Sequence, residues 1–326
     1  MSRLKTRLKK RWDMTRSNWT SDCRFSKKYA VLRIADDFSW RIGLKKLSDR
    51  VHSKKEQWIL DYLKNMLMPV IEKYKDIDNA GIKSENAPVW VCWWGGVEDA
   101  PQLVKQCIRS VKKNAGGHPV NIITQDTYSE YLEVPGFLLD RLDRREIGLA
   151  HFSDYLRVCL LEKYGGLWLD ATMFCADRIP EEYFEYPVFT CKSPYKQSRY
   201  LSDYQWVTFC LGGWKGNIFY RFLKDAFELY WKEKDTAIDY LFFDDLIWLA
   251  RQYIPSVHRY LFQIPISNLR RDDLQAAMNE ALPAEEFWNI VGEDTVFYKL
   301  SWREEYAKKS ENGKESVFSY FERRAI

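Results

Sequence analysis

The feature that most constrains this chain is a pair of adjacent glycines, Gly165 and Gly166, set between an amphipathic segment and a short apolar run. Glycine takes left-handed backbone without a Cβ clash, so the pair ends a helix and turns the chain sharply into the next element. Upstream, Phe152, Leu156, Val158, Leu160 and Leu161 recur among polar residues at helical spacing. Asp154 and Arg157 lie three apart, on neighbouring faces of one turn. Downstream, Leu167, Trp168 and Leu169 form a continuous apolar run, the pattern of an inner strand. Asp170 then stands at that strand's carboxyl end, the edge of an open α/β sheet where ligands bind. A carboxylate there is costly unless it is paired or used. Taken singly, each feature also suits an ordinary helix-turn-strand with a surface ion pair and a turn-forming Asp170.

A similar switch of period occurs earlier. Residues 89–94 are a continuous apolar run closed by Gly95 and Gly96, residues 101–113 have a helical pattern, and residues 120–123 read as a second buried strand. Strand, helix, strand in that order makes a βαβ unit with parallel pairing. Residues 187–191 and 205–211 read as further strands, Gly212, Gly213 and Gly216 as a turn, and residues 218–231 as a helix. Residues 239–249 place Asp244 and Asp245 in the middle of an apolar helix that begins at Asp239. Buried carboxylates have a partner or a task, so capping at Asp239 with a core-edge ion pair at Asp244 stands beside a role in chemistry. Residues 296–302 read as a closing strand carrying Lys299 and Ser301.

Before the α/β pattern, residues 54–74 show a wide apolar helical face interrupted by Pro69, and residues 75–87 are polar. The expected organisation is a helical N-terminal region over residues 1–85, an α/β domain over 86–302 and a tail over 303–326. Residues 1–60 hold 17 Lys/Arg against 6 Asp/Glu, a net of +11, whereas the whole chain nets +4, so the remainder nets −7. Within residues 1–20, Leu4, Leu8 and Trp12 make a thin apolar stripe in a basic field. That suits peripheral contact with an anionic membrane, and equally a solvated tail; no nucleic-acid recognition module accompanies the charge. The seven cysteines are odd in number and include no C-x-x-C pair, which points to reduced core residues in a cytoplasmic protein. No apolar run approaches the ~20 residues that span a bilayer.

The run from Ser153 to Thr172, with SD-x-x-R on a helix, Y-G-G at the break and D-A-T after the strand, closely resembles retaining glycosyltransferases with a DXD-type motif. Among them it is most similar to the capsular polysaccharide synthesis proteins. That resemblance implies a GT-A type α/β nucleotide-sugar-binding domain with a mainly parallel central sheet, transferring a sugar from a nucleotide-sugar donor to a saccharide acceptor with retention. It implies catalytic roles for Asp170 and Asp244, and donor binding by Trp93, Asp154, Arg157, Asp170 and Lys299. It also implies a divalent cation, Mn²⁺ or Mg²⁺, at Asp170 and Ser301. Thr172 replaces the second carboxylate of the DXD pattern, so the expectation is a weakly held ion, with neutralisation by Lys299 and Arg157 as the alternative. A non-catalytic binding protein or a scaffold of a polysaccharide assembly complex is the other reading.

Overall fold

The structure, a computed structural model, describes residues 19–196, 198–281 and 294–324. The apolar stripe of Leu4, Leu8 and Trp12 lies outside the described residues. After a helical segment at residues 19–25 come two antiparallel helices, α1 (Lys27–Arg41) and α2 (Lys45–Tyr74), joined at Gly43, which has φ +71°. Helix α2 starts nine residues earlier than its apolar face suggests and runs on through Pro69.

A sheet then forms from β1 (Val89–Cys92), β2 (Val120–Ile123), β3 (Gly166–Leu169), β5 (Val188–Thr190) and β6 (Cys210–Gly213), in the spatial order β2-β1-β3-β6-β5. Strand β1 pairs in parallel with both β2 and β3, while β6 runs antiparallel to β3 and to β5. Four of the five strands therefore point the same way. Helix α3 (Gln102–Asn114) makes the crossover from β1 to β2. The short helices α4 (Tyr128–Tyr131) and α5 (Gly136–Asp143) lead to α6 (Leu149–Tyr164), which feeds β3. A separate ribbon pairs β4 (Met173–Cys175) with β7 (Phe297–Lys299), antiparallel, with Met173 opposite Lys299.

The glycine pair works as its residue type requires. Gly165 has φ +69° and Gly166 φ +98°, and a Cβ on Gly166 would lie 2.0 Å from the Pro88 carbonyl oxygen, so β3 can reach β1 only without a side chain there. The glycines at 212 and 213, read from sequence as a turn, are instead ladder residues of β6, and the expected strand over 205–211 is confined to its end. The reason is again close approach: Gly213 pairs with Gly166, and a Cβ on it would meet the Pro187 oxygen at 2.4 Å. Further α-helices among the described residues are α7 (Ile218–Glu233), α8 (Phe242–Tyr253), α9 (Pro255–Gln263), α10 (Asp273–Ala277) and α11 (Val317–Arg324). Asp244 and Asp245 fall in the first turn of α8 rather than its middle, where a negative charge is favoured by the helix dipole.

Helix α2 packs on α7 and α8, and its Ile59, Leu63, Leu67 and Ile71 join one apolar cluster with Val89, Leu156, Trp168 and Leu246. A smaller cluster of Leu103, Leu274, Met278, Tyr298 and Phe321 anchors the ribbon. All seven cysteines are free, five of them buried. Among the described residues no helix is long and apolar enough to cross a membrane.

Candidate active site

The sheet order creates the site. From β1 the chain crosses to β2 on one side, and β3 lies on the other, so a crevice opens at the carboxyl ends of β1 and β3. Trp93 follows β1 and Asp170 follows β3, and both line a cavity of about 410 Å³. The same cavity is walled by Asp154 and Arg157 from α6, Asp244 from α8, and Lys299 and Ser301 from the end of β7. The seven residues that the resemblance places in the site thus border one space.

Asp170 is held from three directions. Its backbone N–H donates to the Phe209 carbonyl at 2.9 Å and its carbonyl accepts from Met173 at 2.8 Å, which fixes the turn after β3. Oδ1 accepts from Arg157 Nη2 at 3.1 Å and from the Trp168 indole N–H at 3.0 Å, while Oδ2 accepts from Lys299 Nζ at 2.9 Å. Burial alone would raise its pKa, but Lys299 first, then Arg157 and the indole, outweigh that and hold the carboxyl well below the usual range. Asp170 is a fixed anion at neutral pH.

Arg157 is 4% exposed and lies between the Trp168 and Phe243 rings, 4.9 and 5.4 Å from their centroids. Its Nη1 stands 3.1 Å from Asp154 Oδ1 without an aligned hydrogen bond, and Nε likewise finds no acceptor among the described residues. A buried guanidinium with N–H groups still to satisfy is a ready anion-binding group. Lys299 donates to Asp170 and, at 2.8 Å, to Thr172 Oγ1. An ammonium has three N–H donors, so one remains.

Asp244 has a different environment. It accepts from the Trp206 indole N–H at 2.8 Å, and burial pushes its pKa up to about 7, with Asp154 adding to the rise. Asp245, one residue on, faces the core and is also raised by burial. Trp93 is half-buried and meets Trp302 edge-to-face at 5.7 Å.

As arranged, the donor set does not fit a divalent ion at Asp170 and Ser301. The Lys299 ammonium bridges the Asp170 carboxylate and the Thr172 hydroxyl, and of the expected pair only Ser301, which accepts one bond from the Arg303 amide at 3.3 Å, keeps a lone pair clear of it. A hard cation beside that ammonium would be repelled. Sequence reasoning missed Trp168, Phe243, Tyr240 and Arg303, which also border the cavity. Trp168 and Arg303 adjoin the motifs legible in the sequence, but ring stacking on Arg157 and placement at the cavity mouth depend on pairings distant in sequence.

No curated protein matches the chain. A solved structure described as PaToxG glycosyltransferase aligns over 66% of this chain and 83% of its own at 16% identity, with a TM-score of 0.37. The model of the family described as capsular polysaccharide synthesis protein matches residues 40–321, from the end of α1 into α11, and the chain belongs to that family.

Proposed function

We propose that this protein is a glycosyltransferase that binds a nucleotide-sugar in the Asp170 cavity and transfers the sugar, with retention, to a saccharide acceptor in capsular or other cell-surface polysaccharide synthesis. The observation that carries the reading is the clamped carboxylate: Asp170 stands at the crevice of the sheet between Arg157 and Lys299, each with N–H donors to spare. A nucleoside diphosphate leaves with developing negative charge, and catalysis of its departure is mostly positioning plus electrostatic stabilisation. In this reading the third Lys299 proton meets a diphosphate oxygen, the buried Arg157 adds positive charge beneath it while holding Asp170, and Trp93 stacks on the base. Asp170 and Asp154 accept from ribose or sugar hydroxyls while keeping the two cations in place. Asp244 orients the donor sugar or the acceptor hydroxyl. The protein's own cations then supply the neutralisation, and no step is assigned to a metal ion.

The test is a panel of nucleotide-sugars, scored by thermal stabilisation and by release of nucleoside diphosphate, with and without Mn²⁺. Stabilisation with slow hydrolysis by the wild type, lost in Asp170→Asn, supports the reading. If no nucleotide-sugar raises the melting temperature, the donor assignment is wrong. Stabilisation without any turnover, with acceptor candidates present, would favour a non-catalytic binding protein, the reading that Thr172 in place of a second carboxylate suggests.

A further inference from the structure

A larger concavity, about 850 Å³, opens between the α1–α2 hairpin and the loop at residues 198–201. We propose that this cleft binds the saccharide acceptor as an extended, uncharged oligosaccharide chain whose end reaches the Asp170 cavity. The proposal rests on the glycosyltransferase reading and gives a task to the N-terminal helices, which that reading leaves without one.

Position is the first argument. A third space of about 620 Å³ shares Trp40, His52 and Tyr200 with the large cleft, and Leu241 with the Asp170 cavity. The middle space overlaps the large cleft and meets the Asp170 cavity at the Leu241 side chain. Helix α8 spans them: Asp244 borders the Asp170 cavity and Trp248, one turn later and so on the same face, borders the cleft.

Chemistry is the second. Trp40 and Tyr200 are 62% and 56% exposed at one cleft; Arg199 covers one face of Trp40, and the flat C–H face of a sugar ring suits the ring surface left open. Ser53, Glu56 and Gln57 line the same cleft and can exchange hydrogen bonds with hydroxyl groups. The two cations that line the cleft, Lys45 and Arg199, are matched in number by Asp49 and Glu56, a lining that suits an uncharged ligand. Its size falls within the ~300–1,000 Å³ of sites that enclose ligands larger than one sugar unit.

The walls of the cleft are already fixed. Arg199 donates to Asp36 at 2.7 Å and to Ser48 at 2.6 Å, and stacks over Trp40 at 4.6 Å. His52 bridges Asp36 and the Arg199 carbonyl, both at 2.9 Å. The loop is thus tied to the hairpin before any ligand arrives, which lowers the ordering cost of binding.

The test uses the full chain without donor, titrated with neutral capsular oligosaccharides of graded length and followed by tryptophan fluorescence and saturation-transfer NMR. Longer oligosaccharides should bind more tightly. Trp40→Ala and Tyr200→Ala should each weaken binding about tenfold or more, and the double variant further, with unchanged melting temperatures. Phe262→Ala, which removes an exposed ring outside the cleft, should bind as the wild type does. Wild-type affinity in both cleft variants, or no oligosaccharide bound by the wild type, overturns the proposal. If that occurs while the wild type hydrolyses nucleotide-sugar, only the cleft assignment falls. If the wild type neither binds nor hydrolyses any nucleotide-sugar, the donor reading falls and the acceptor role with it.

Discussion

Replacing Lys299 by Met removes the ammonium and keeps the apolar stem, so it isolates the charge at the centre of the site. At an effective dielectric of about 20, two unit charges at the observed 2.9 Å separation attract by about 6 kcal/mol. Little of that is net stability. The two side chains are 27% and 29% exposed, so water compensates for much of the loss, and Arg157 stays on the other Asp170 oxygen. The expected loss of folding stability is therefore about 1–2 kcal/mol. Catalysis should suffer more, because a positioned donor aimed at developing charge contributes about 2.7–4 kcal/mol to the transition state, a factor of about 10²–10³ in rate.

The assay is nucleoside diphosphate release in chelator and across a Mn²⁺ titration, with melting temperatures recorded for both proteins. The wild type should keep its rate in chelator. Lys299→Met should lose the expected factor and regain part of it with Mn²⁺, since removal of the ammonium frees the Asp170 and Thr172 oxygens for a hard cation. A wild type silenced by chelator would refute the assignment of the cation's work to Lys299. So would a Lys299→Met enzyme within a few-fold of the wild-type rate.

Three further expectations are open to measurement. In Asp244→Asn the rate profile should lose an inflection near pH 7, and the stability profile should flatten between about pH 4 and 7: the folded carboxyl holds its proton up to about 7 while the unfolded one releases it near 3.8, so stability falls as pH rises through that window. Equal slopes for the wild type and the variant would show that Asp244 does not titrate there. Gly166→Ala should lose about 3 kcal/mol or more in denaturant unfolding, because it combines φ +98° with a Cβ placed on the Pro88 carbonyl; a loss below about 1 kcal/mol would mean that β3 can shift away from β1. Deleting residues 1–20 should release the protein from anionic vesicles without changing turnover, and equal vesicle binding at low and physiological salt would count against a membrane role for that basic segment.

The parts of the site that lie close together in sequence are legible there. The α6-glycine-β3 unit, the Asp154–Arg157 spacing and the position of Asp170 follow from helical period, glycine stereochemistry and strand burial, all local rules. Lys299 stands out as a candidate only because its strand resembles a family's closing strand, and its place on Asp170 and Thr172 depends on the register of β7 against β4, over a hundred residues apart. Gly212 and Gly213 mislead because glycine signals both turns and close backbone approach, and only the pairing of β6 with β3 decides between them. The N-terminal helices carry a clear apolar face but no indication of what it covers, and α2 packs on helices that come more than a hundred residues later.

The two acidic groups expected to do chemistry are set in opposite ways by their surroundings, and this separates their tasks. Asp170 sits between two cations and an indole donor, so its charge is stabilised and it cannot serve as a proton carrier near neutral pH. Asp244 has one neutral donor, Trp206, and lies in a buried first turn where desolvation dominates, so it titrates near neutrality. When one pocket drives two carboxyls apart in this way, the low one is suited to fixed electrostatics and the high one to following a proton or a transient positive charge. A retaining transfer in which the departing phosphate receives the acceptor's proton needs no separate base. In the proposed reading Asp244 would act on the sugar ring, accepting from a hydroxyl when ionised and donating when protonated. It borders the Asp170 cavity one turn before Trp248, which borders the aromatic cleft, so in the proposed reading the helix that carries this carboxyl links the donor site to the acceptor site.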